Sequence, residues 1–135
     1  MASVQDANLA IVKKAYVALE QGHGWDRFLE DFADDCELYE APSLPYGGVF
    51  SGKEMVKAGG AVVFSTFDDF KFKVLNYVAG DDLVVVHLML TGRGRTTGKT
   101  FSMPLMEKWR LRDGKVVELR LFYFDSARVI ECFGA

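Results

Sequence analysis

Three polar residues, Tyr16, Glu40 and Glu107, stand at positions where the surrounding sequence pattern is otherwise apolar. Burial raises the pKa of a carboxyl group by up to roughly 3–5 units, so such a group holds or releases a proton close to neutral pH. A buried phenol must find a hydrogen-bond partner. Side chains of these types could therefore carry out chemistry inside an apolar site.

Glu107 lies in a segment that alternates as a β-strand does. One face of that strand is predicted to carry Phe101, Met103, Leu105, Glu107, Trp109 and Leu111. Buried charges are rarely left unpaired, so Glu107 is either a neutral acid or one half of a structural ion pair. The candidate partners for that pair are Arg93, Arg95 and Arg120.

Tyr16 and Glu40 occupy comparable positions on two other elements. The spacing of Leu9, Val12, Tyr16 and Leu19 is helical and places the Tyr16 ring inside, although an ordinary core tyrosine fits the same position. Strand alternation places Glu40 with Cys36 and Leu38 on an inner face. A glutamate exposed at the end of a strand is the alternative for Glu40.

The elements that would position these residues run from helices to strands, which favours an α+β domain. Helices are predicted over residues 6–21, capped by Asp6, over 26–33, over 51–64 with a capping box at Ser51, and after Asp125. Gly59 and Gly60 cost the third helix about 1 kcal/mol each and predict a kink or break there. Strands are predicted over 36–41, 70–78, 83–93, 100–111 and 116–124.

Composition excludes several classes of function. The 135 residues carry a net charge of −3 without a basic stripe, which argues against nucleic acid as a partner. No apolar stretch is long enough to span a membrane, and residues 1–6 lack the features of a signal peptide. Cys36 and Cys132 are expected to be reduced thiols of a cytoplasmic protein. Two histidines are too few for a metal site, and no cofactor is expected.

Several short segments resemble the nuclear transport factor 2-like superfamily, and the SnoaL-like members in particular. They are FADD at 32–35, PYGG at 45–48, SG at 51–52, EKWR at 107–110 and DGKV at 113–116. The resemblance extends over residues 7–133 and implies one domain over residues 1–135. The implied fold is a cystatin-like cone, with three N-terminal helices on a curved mixed or antiparallel sheet and a short C-terminal helix. It also implies a homodimer through the outer sheet face, which would include Phe122 and Phe124 beside Glu118 and Arg120.

Within the superfamily, the ketosteroid isomerases match the three polar residues best. Those enzymes use a tyrosine and a protonated carboxyl group as an oxyanion hole, and a second carboxylate as the base. The resemblance assigns the oxyanion hole to Tyr16 and Glu107 and the base to Glu40. Both acids are Asp in the isomerases, so each Glu reaches one methylene further.

The resulting hypothesis is an enzyme that forms an enolate by removing a proton next to a carbonyl group, as in isomerisation or cyclisation. The substrate would be a small apolar molecule in a cavity lined by Phe28, Phe32, Leu88, Leu90 and Trp109. The alternative is a cavity that binds an apolar ligand without catalysis. A site like that of epoxide hydrolases would need an Asp-x-Arg arrangement, which the predicted inner faces lack.

Overall fold

The computed structural model describes residues 3–134, so Met1, Ala2 and Ala135 of the predicted 1–135 domain lie outside the described residues. The elements follow in the order α1 (Val4–Glu20), α2 (Trp25–Phe28), β1 (Phe32–Glu40), β2 (Gly48–Ser51), α3 (Lys53–Thr66), β3 (Phe67–Ala79), β4 (Leu83–Gly94), β5 (Thr100–Arg112), β6 (Lys115–Tyr123) and α4 (Ser126–Phe133).

The six strands form one mixed sheet in the order β2-β1-β6-β5-β4-β3. Strands β3 to β6 form the predicted antiparallel meander, while β1 runs parallel to β6. The helices α1 and α3 pack on the sheet, and one face of β4 and β5 is buried beneath them. The α+β class is therefore confirmed. The short strand β2 at the β1 edge was not predicted.

Helix α1 begins earlier than the sequence pattern indicates. Ser3, and not Asp6, is the N-cap: the Ser3 hydroxyl accepts from the Asp6 amide, and the Asp6 carboxylate accepts from the Ser3 amide. This reciprocal capping box satisfies two amides that the first turn leaves unpaired. The buried stripe of α1 includes Val12, Ala15 and Tyr16, so the Tyr16 ring lies inside as its spacing predicts.

The second predicted helix, over residues 26–33, is wrong in its second half. Helix α2 is a single turn that ends at Phe28, and Phe32 already begins β1. Phe32 pairs with Val116 of β6, and the Val116 amide donates to the Asp31 carbonyl. Pairing with a strand that lies more than 80 residues away outweighs the local helical pattern.

Helix α3 differs from its prediction at both of the features that the sequence suggested. Ser51 ends β2, and the N-cap is Gly52, which has no side chain with which to cap. The helix also continues through Gly59 and Gly60. A Cβ atom on Gly60 would lie 2.3 Å from the Trp25 ring, and one on Gly59 would lie 3.0 Å from the Phe50 ring. The two glycines thus let aromatic rings approach the helix backbone.

The C-terminal helix α4 begins as predicted, because the Asp125 side chain accepts from the Arg128 amide. Val129 and Cys132 of this helix are buried, and Cys36 of β1 is buried as well; both cysteines are free thiols. None of the helices within residues 3–134 has the length and apolarity needed to cross a membrane.

Candidate active site

A cavity of about 70 Å³ lies between the helices and the inner face of the sheet. Eight of its eighteen lining residues are aromatic: Tyr16, Trp25, Phe28, Phe64, Phe70, Phe72, Trp109 and Tyr123. Glu40 and Glu107 are the two acidic residues that line it. Over residues 3–134, no Lys, Arg or His belongs to this lining. The cavity is therefore apolar and acidic.

A wider groove of about 510 Å³ adjoins the cavity. The two share five lining residues, Tyr16, Leu19, Phe64, Phe70 and Phe72, so the groove forms the outer part of the same hollow. Glu20, Lys71 and Lys73 line only the groove. A ligand larger than a few atoms would therefore extend from the acidic inner cavity toward a charged rim.

Glu107 projects from β5 into the inner cavity and is only 5% exposed. Its Oε1 atom accepts two hydrogen bonds, one from the Tyr16 hydroxyl and one from Trp109 Nε1 at 3.2 Å. Trp109 reaches Glu107 because residues two apart on a strand share a face. The Tyr16 and Trp109 rings also contact each other, with centroids 5.7 Å apart.

Within residues 3–134, no arginine forms an ion pair or a hydrogen bond with Glu107. Arg93 and Arg95 pair with Asp68, and Arg120 pairs with Glu118. The structural ion pair that the sequence left open is therefore wrong. Burial raises the pKa of Glu107 to about 7, while the Trp109 N–H, which favours the charged form, acts in the opposite direction. A carboxyl group of this kind carries a proton for much of the time at neutral pH.

Glu40 is the last residue of β1 and is 9% exposed, so it is not a solvated strand end. Its Oε1 atom accepts from the Tyr123 hydroxyl at 2.9 Å, and the Tyr123 oxygen lies 3.2 Å from the Tyr46 hydroxyl. Burial raises the pKa of Glu40 to about 7, and the bond from Tyr123 acts against that rise. Both acids thus titrate in the same pH range, with different partners.

The sheet register brings the two acids into one row. Tyr39 pairs with Arg120 of β6, so Glu40 lies one residue further on, beside Leu121, and Leu121 pairs with Glu107. Two strand spacings of about 4.8 Å place the two Cα atoms roughly 10 Å apart. Both side chains line the cavity. A small molecule between them could contact both carboxyl groups at once.

Each acid keeps one oxygen free. Within residues 3–134, neither Glu40 Oε2 nor Glu107 Oε2 takes part in a hydrogen bond. No buried side-chain oxygen in that part of the chain is sealed away without a partner, so these two atoms border open space. The protein therefore holds one oxygen of each carboxyl group and presents the other to the cavity.

The predicted lining residues divide into two groups. Phe28, Leu90 and Trp109 line the cavity. Phe32 and Leu88 lie outside its lining, and both are buried. Phe32 packs behind the wall, with its ring 5.3 Å from that of Phe28 and 5.7 Å from that of Trp109.

Two site residues, Tyr123 and Tyr46, were missed from the sequence. The alternation of Leu119, Leu121 and Tyr123 along β6 was available and places Tyr123 on the inner face. Tyr46 lies in the loop between β1 and β2, where no periodic pattern exists to identify it. Its position depends on how that loop folds back over the sheet.

The fold and the sequence agree on the family. Residues 13–119, most of the chain, match the SnoaL-like domain family. The chain belongs to that family. No curated protein sequence matches it. Within residues 3–134, no group of His, Cys, Asp and Glu side chains is arranged to hold a metal ion.

Solved structures share the SnoaL-like fold over most or all of their length. An NTF2-like protein from Burkholderia thailandensis E264 superposes with a TM-score of 0.88 at 23% identity, covering 100% of both chains. A protein from Jannaschia sp. CCS1, assigned by similarity to the SnoaL-like polyketide cyclases, gives 0.83 at 23% identity, covering 100% of this chain and 96% of the other. A hypothetical protein of ketosteroid isomerase-like fold from Catenulispora acidiphila DSM 44928, in complex with trimethylamine, gives 0.72 at 17% identity, covering 84% of each.

Proposed function

We propose that the cavity binds a small apolar carbonyl compound and that Glu40 removes a proton from the carbon next to the carbonyl group. Two buried acids with one free oxygen each face a single cavity, and the described residues contribute no cationic side chain to its lining; this arrangement supports the proposal. Such a site can accept a proton at one end and donate a hydrogen bond at the other.

Glu40 is suited to the role of base. Its pKa of about 7 lies close to neutral pH. A general base is most effective when its pKa lies near the pH at which the enzyme works. Because Tyr123 occupies Oε1, the free Oε2 is the atom that takes the proton. The C–H bond breaks, the O–H bond forms on Oε2, and the electron pair moves onto the carbonyl oxygen to give an enolate.

Glu107 is suited to stabilise that enolate in its neutral form. Two donors already point at Oε1, so the proton of the neutral acid belongs on Oε2, from which it donates to the substrate oxygen. The single proton of Tyr16 is directed to Glu107, so Tyr16 acts mainly by orienting this acid. This differs from the sequence hypothesis, in which both side chains donate to the substrate directly.

An isotope-exchange experiment tests the proposal without presupposing isomerisation or cyclisation. Cyclohexanone is incubated with the protein in D₂O, and loss of the α-proton signal is followed by proton NMR. The protein is expected to accelerate exchange above buffer. The Glu40→Gln variant is expected to lose at least about 10²-fold of that acceleration, because general bases contribute about 10²–10⁴-fold.

The matched control is Glu37→Gln, which removes a carboxylate from the same strand but from a side chain outside the cavity lining. Equal exchange rates for the unaltered protein and Glu40→Gln would exclude Glu40 as the base. Loss of exchange in Glu37→Gln as well would point to an effect on folding instead.

A second candidate function is binding of a small organic cation without catalysis. Eight aromatic rings and two acids line the cavity, and none of the described residues adds a basic side chain to that lining. Such a lining attracts ammonium groups. The Catenulispora acidiphila protein of related fold, which was crystallised with trimethylamine, is consistent with this candidate.

Calorimetry with trimethylammonium and with the neutral tert-butanol separates the two functions. If the cavity is a cation site, trimethylammonium binds better at pH 8 than at pH 6, since both acids are then ionised, and tert-butanol shows no such preference. Tight binding of the cation together with no exchange of cyclohexanone would favour this second function over the first.

A further inference from the structure

Glu40, the base of the proposed reaction, is hydrogen-bonded to Tyr123, and Tyr123 is hydrogen-bonded to Tyr46; these three residues form a hydrogen-bonded series. The Tyr123 hydroxyl donates to Glu40 Oε1 at 2.9 Å, and the Tyr46 and Tyr123 oxygens are 3.2 Å apart. Tyr46 is buried, and its ring packs against Phe67 and Phe133. The hydrogen-bonded series therefore ends in the apolar core and not in solvent.

The direction of the hydrogen bonds follows from counting protons. A phenol has one proton, and that of Tyr123 is used on Glu40. The Tyr123 oxygen must then accept from Tyr46, so the order of donation is Tyr46 to Tyr123 to Glu40. A hydrogen bond that is donated to a carboxylate stabilises the charged form.

The backbone conformation of the loop that carries Tyr46 is restricted. The loop between β1 and β2 turns back through two hydrogen bonds, from the Leu44 amide to the Ala41 carbonyl and from the Gly47 amide to the Leu44 carbonyl. A Cβ atom on Gly47 would lie 2.2 Å from the Ala41 oxygen, so only glycine fits there. The loop that follows Glu40 thus folds back and places the Tyr46 hydroxyl next to Tyr123, which hydrogen-bonds Glu40.

We propose that Tyr123 and Tyr46 are positioning residues that fix the rotamer of Glu40, reserve its Oε2 for the substrate and favour its charged form. This inference rests on the proposed function for the role of Glu40 as base. The pair acts on the base alone, since Glu107 receives its hydrogen bonds from Tyr16 and Trp109. Each acid therefore has its own set of donors.

Other ionisable groups do not account for such an effect. The titratable groups near Glu40 are Tyr123, Tyr46, and across the cavity Glu107 and Tyr16. Burial raises the pKa of Glu40, and the hydrogen bond from the Tyr123 hydroxyl acts in the opposite direction. Removal of the Tyr123 hydroxyl must therefore raise that pKa further.

The test is a carbon-13 NMR titration of the glutamate carboxyl carbons, without any substrate. The Glu40 signal is assigned by its absence in Glu40→Gln. In Tyr123→Phe the pKa of Glu40 is expected to rise by about one pH unit or more, since a hydrogen bond to a charged group is lost. In Tyr46→Phe the rise is expected to be smaller but in the same direction.

The control variant is Tyr39→Phe, which removes a hydroxyl from the neighbouring residue on the opposite face of β1, where it bonds Glu37. Neither this variant nor the tyrosine pair should move the pKa of Glu107. An unchanged Glu40 pKa in both Tyr123→Phe and Tyr46→Phe, whatever happens to the melting temperature, would overturn the inference. The expected pKa rise combined with no cyclohexanone exchange in the unaltered protein would leave the positioning intact and reject the enolate function.

Discussion

At the scale of single residues, the site consists of two similar acids with different surroundings. Burial raises both pKa values to about 7, but Glu40 accepts from a phenol, whereas Glu107 accepts from a phenol and an indole on the same oxygen. The proposed reaction needs Glu40 charged and Glu107 neutral. The two residues should therefore respond differently to the same substitution.

Glu107→Gln is expected to keep cyclohexanone exchange within about tenfold of the unaltered rate. Its amide oxygen can accept from Tyr16 and Trp109, and its NH₂ group can donate to the substrate. Glu107→Leu, which removes every polar contact, should lose about 10²–10³-fold, the usual cost of a lost oxyanion donor. Exchange rates at pH 7 measure both variants, and equal losses in the two would contradict the assigned role.

The exchange rate should also have a bell-shaped dependence on pH with its maximum near 7. Raising the pH through the Glu40 pKa of about 7 creates the base, and raising it through the similar Glu107 pKa removes the acid. Well beyond the maximum, the rate should fall about tenfold per pH unit on each side. Glu107→Gln should lose only the alkaline limb, and a bell that persists in this variant would show that another group causes it.

The burial of Tyr16, Glu40 and Glu107 could be predicted because each stands in a periodic apolar pattern. Their partners could not all be found in this way. Tyr123 had a pattern on β6, but Tyr46 belongs to an irregular loop, and the choice between an arginine and a phenol as partner of Glu107 depends on tertiary packing. Composition and spacing do not contain that information.

At the scale of elements, β1 and β6 set the geometry of the site. Their parallel pairing aligns Glu40 with Leu121, which is paired with Glu107. The sequence predicted a shorter strand, over 36–41, because the aromatic-rich segment before it has a helical spacing. The pairing of Phe32 with Val116 makes Phe32 part of the strand. A local sequence pattern carries no information about such long-range pairing.

In helix α3, Gly60 allows the Trp25 ring to lie against the helix backbone, and both residues line the cavity. In Gly60→Ala, overcrowding of the Trp25 ring should cost about 1–3 kcal/mol, and the better helix propensity of alanine should offset about 1 kcal/mol of that cost, so the net loss of stability is expected to be about 0–2 kcal/mol. Ala58→Gly, at an exposed position of the same helix, measures the propensity term alone. Urea denaturation gives both values, and a stabilising Gly60→Ala would contradict the packing described.

At the scale of the whole molecule, the outer sheet face carries an exposed apolar row. Met106 of β5 and Phe122 of β6 pair with each other and are 46% and 52% exposed, and the polar, partly buried His87 of β4 lies beside Met106. Phe124, just beyond β6, is 76% exposed. Charges of both signs lie beside the row, including the Lys108–Glu118 pair at 2.8 Å. A second copy of the chain related by a two-fold axis could match such a self-complementary surface.

We propose a homodimer through this face. Light scattering at micromolar concentration should give twice the mass of one chain, and Phe122→Glu should reduce it to the mass of a monomer. Val62→Glu, which adds a charge to exposed Val62 on α3, should leave the dimer intact. A monomer for the unaltered protein would contradict the proposal.

Glu40 and Glu107 are buried and face one cavity whose lining, within the described residues, has no cationic side chain, so both should titrate near neutral pH. A carbon-13 NMR titration of the Glu40 and Glu107 carboxyl carbons in the unaltered protein measures both pKa values. The structure predicts that both carbons titrate with a pKa of about 7. Titration of both near 4.3, the ordinary value for glutamate, would show that the acids are solvated or paired with a cation, and the proposed roles of both would then be wrong.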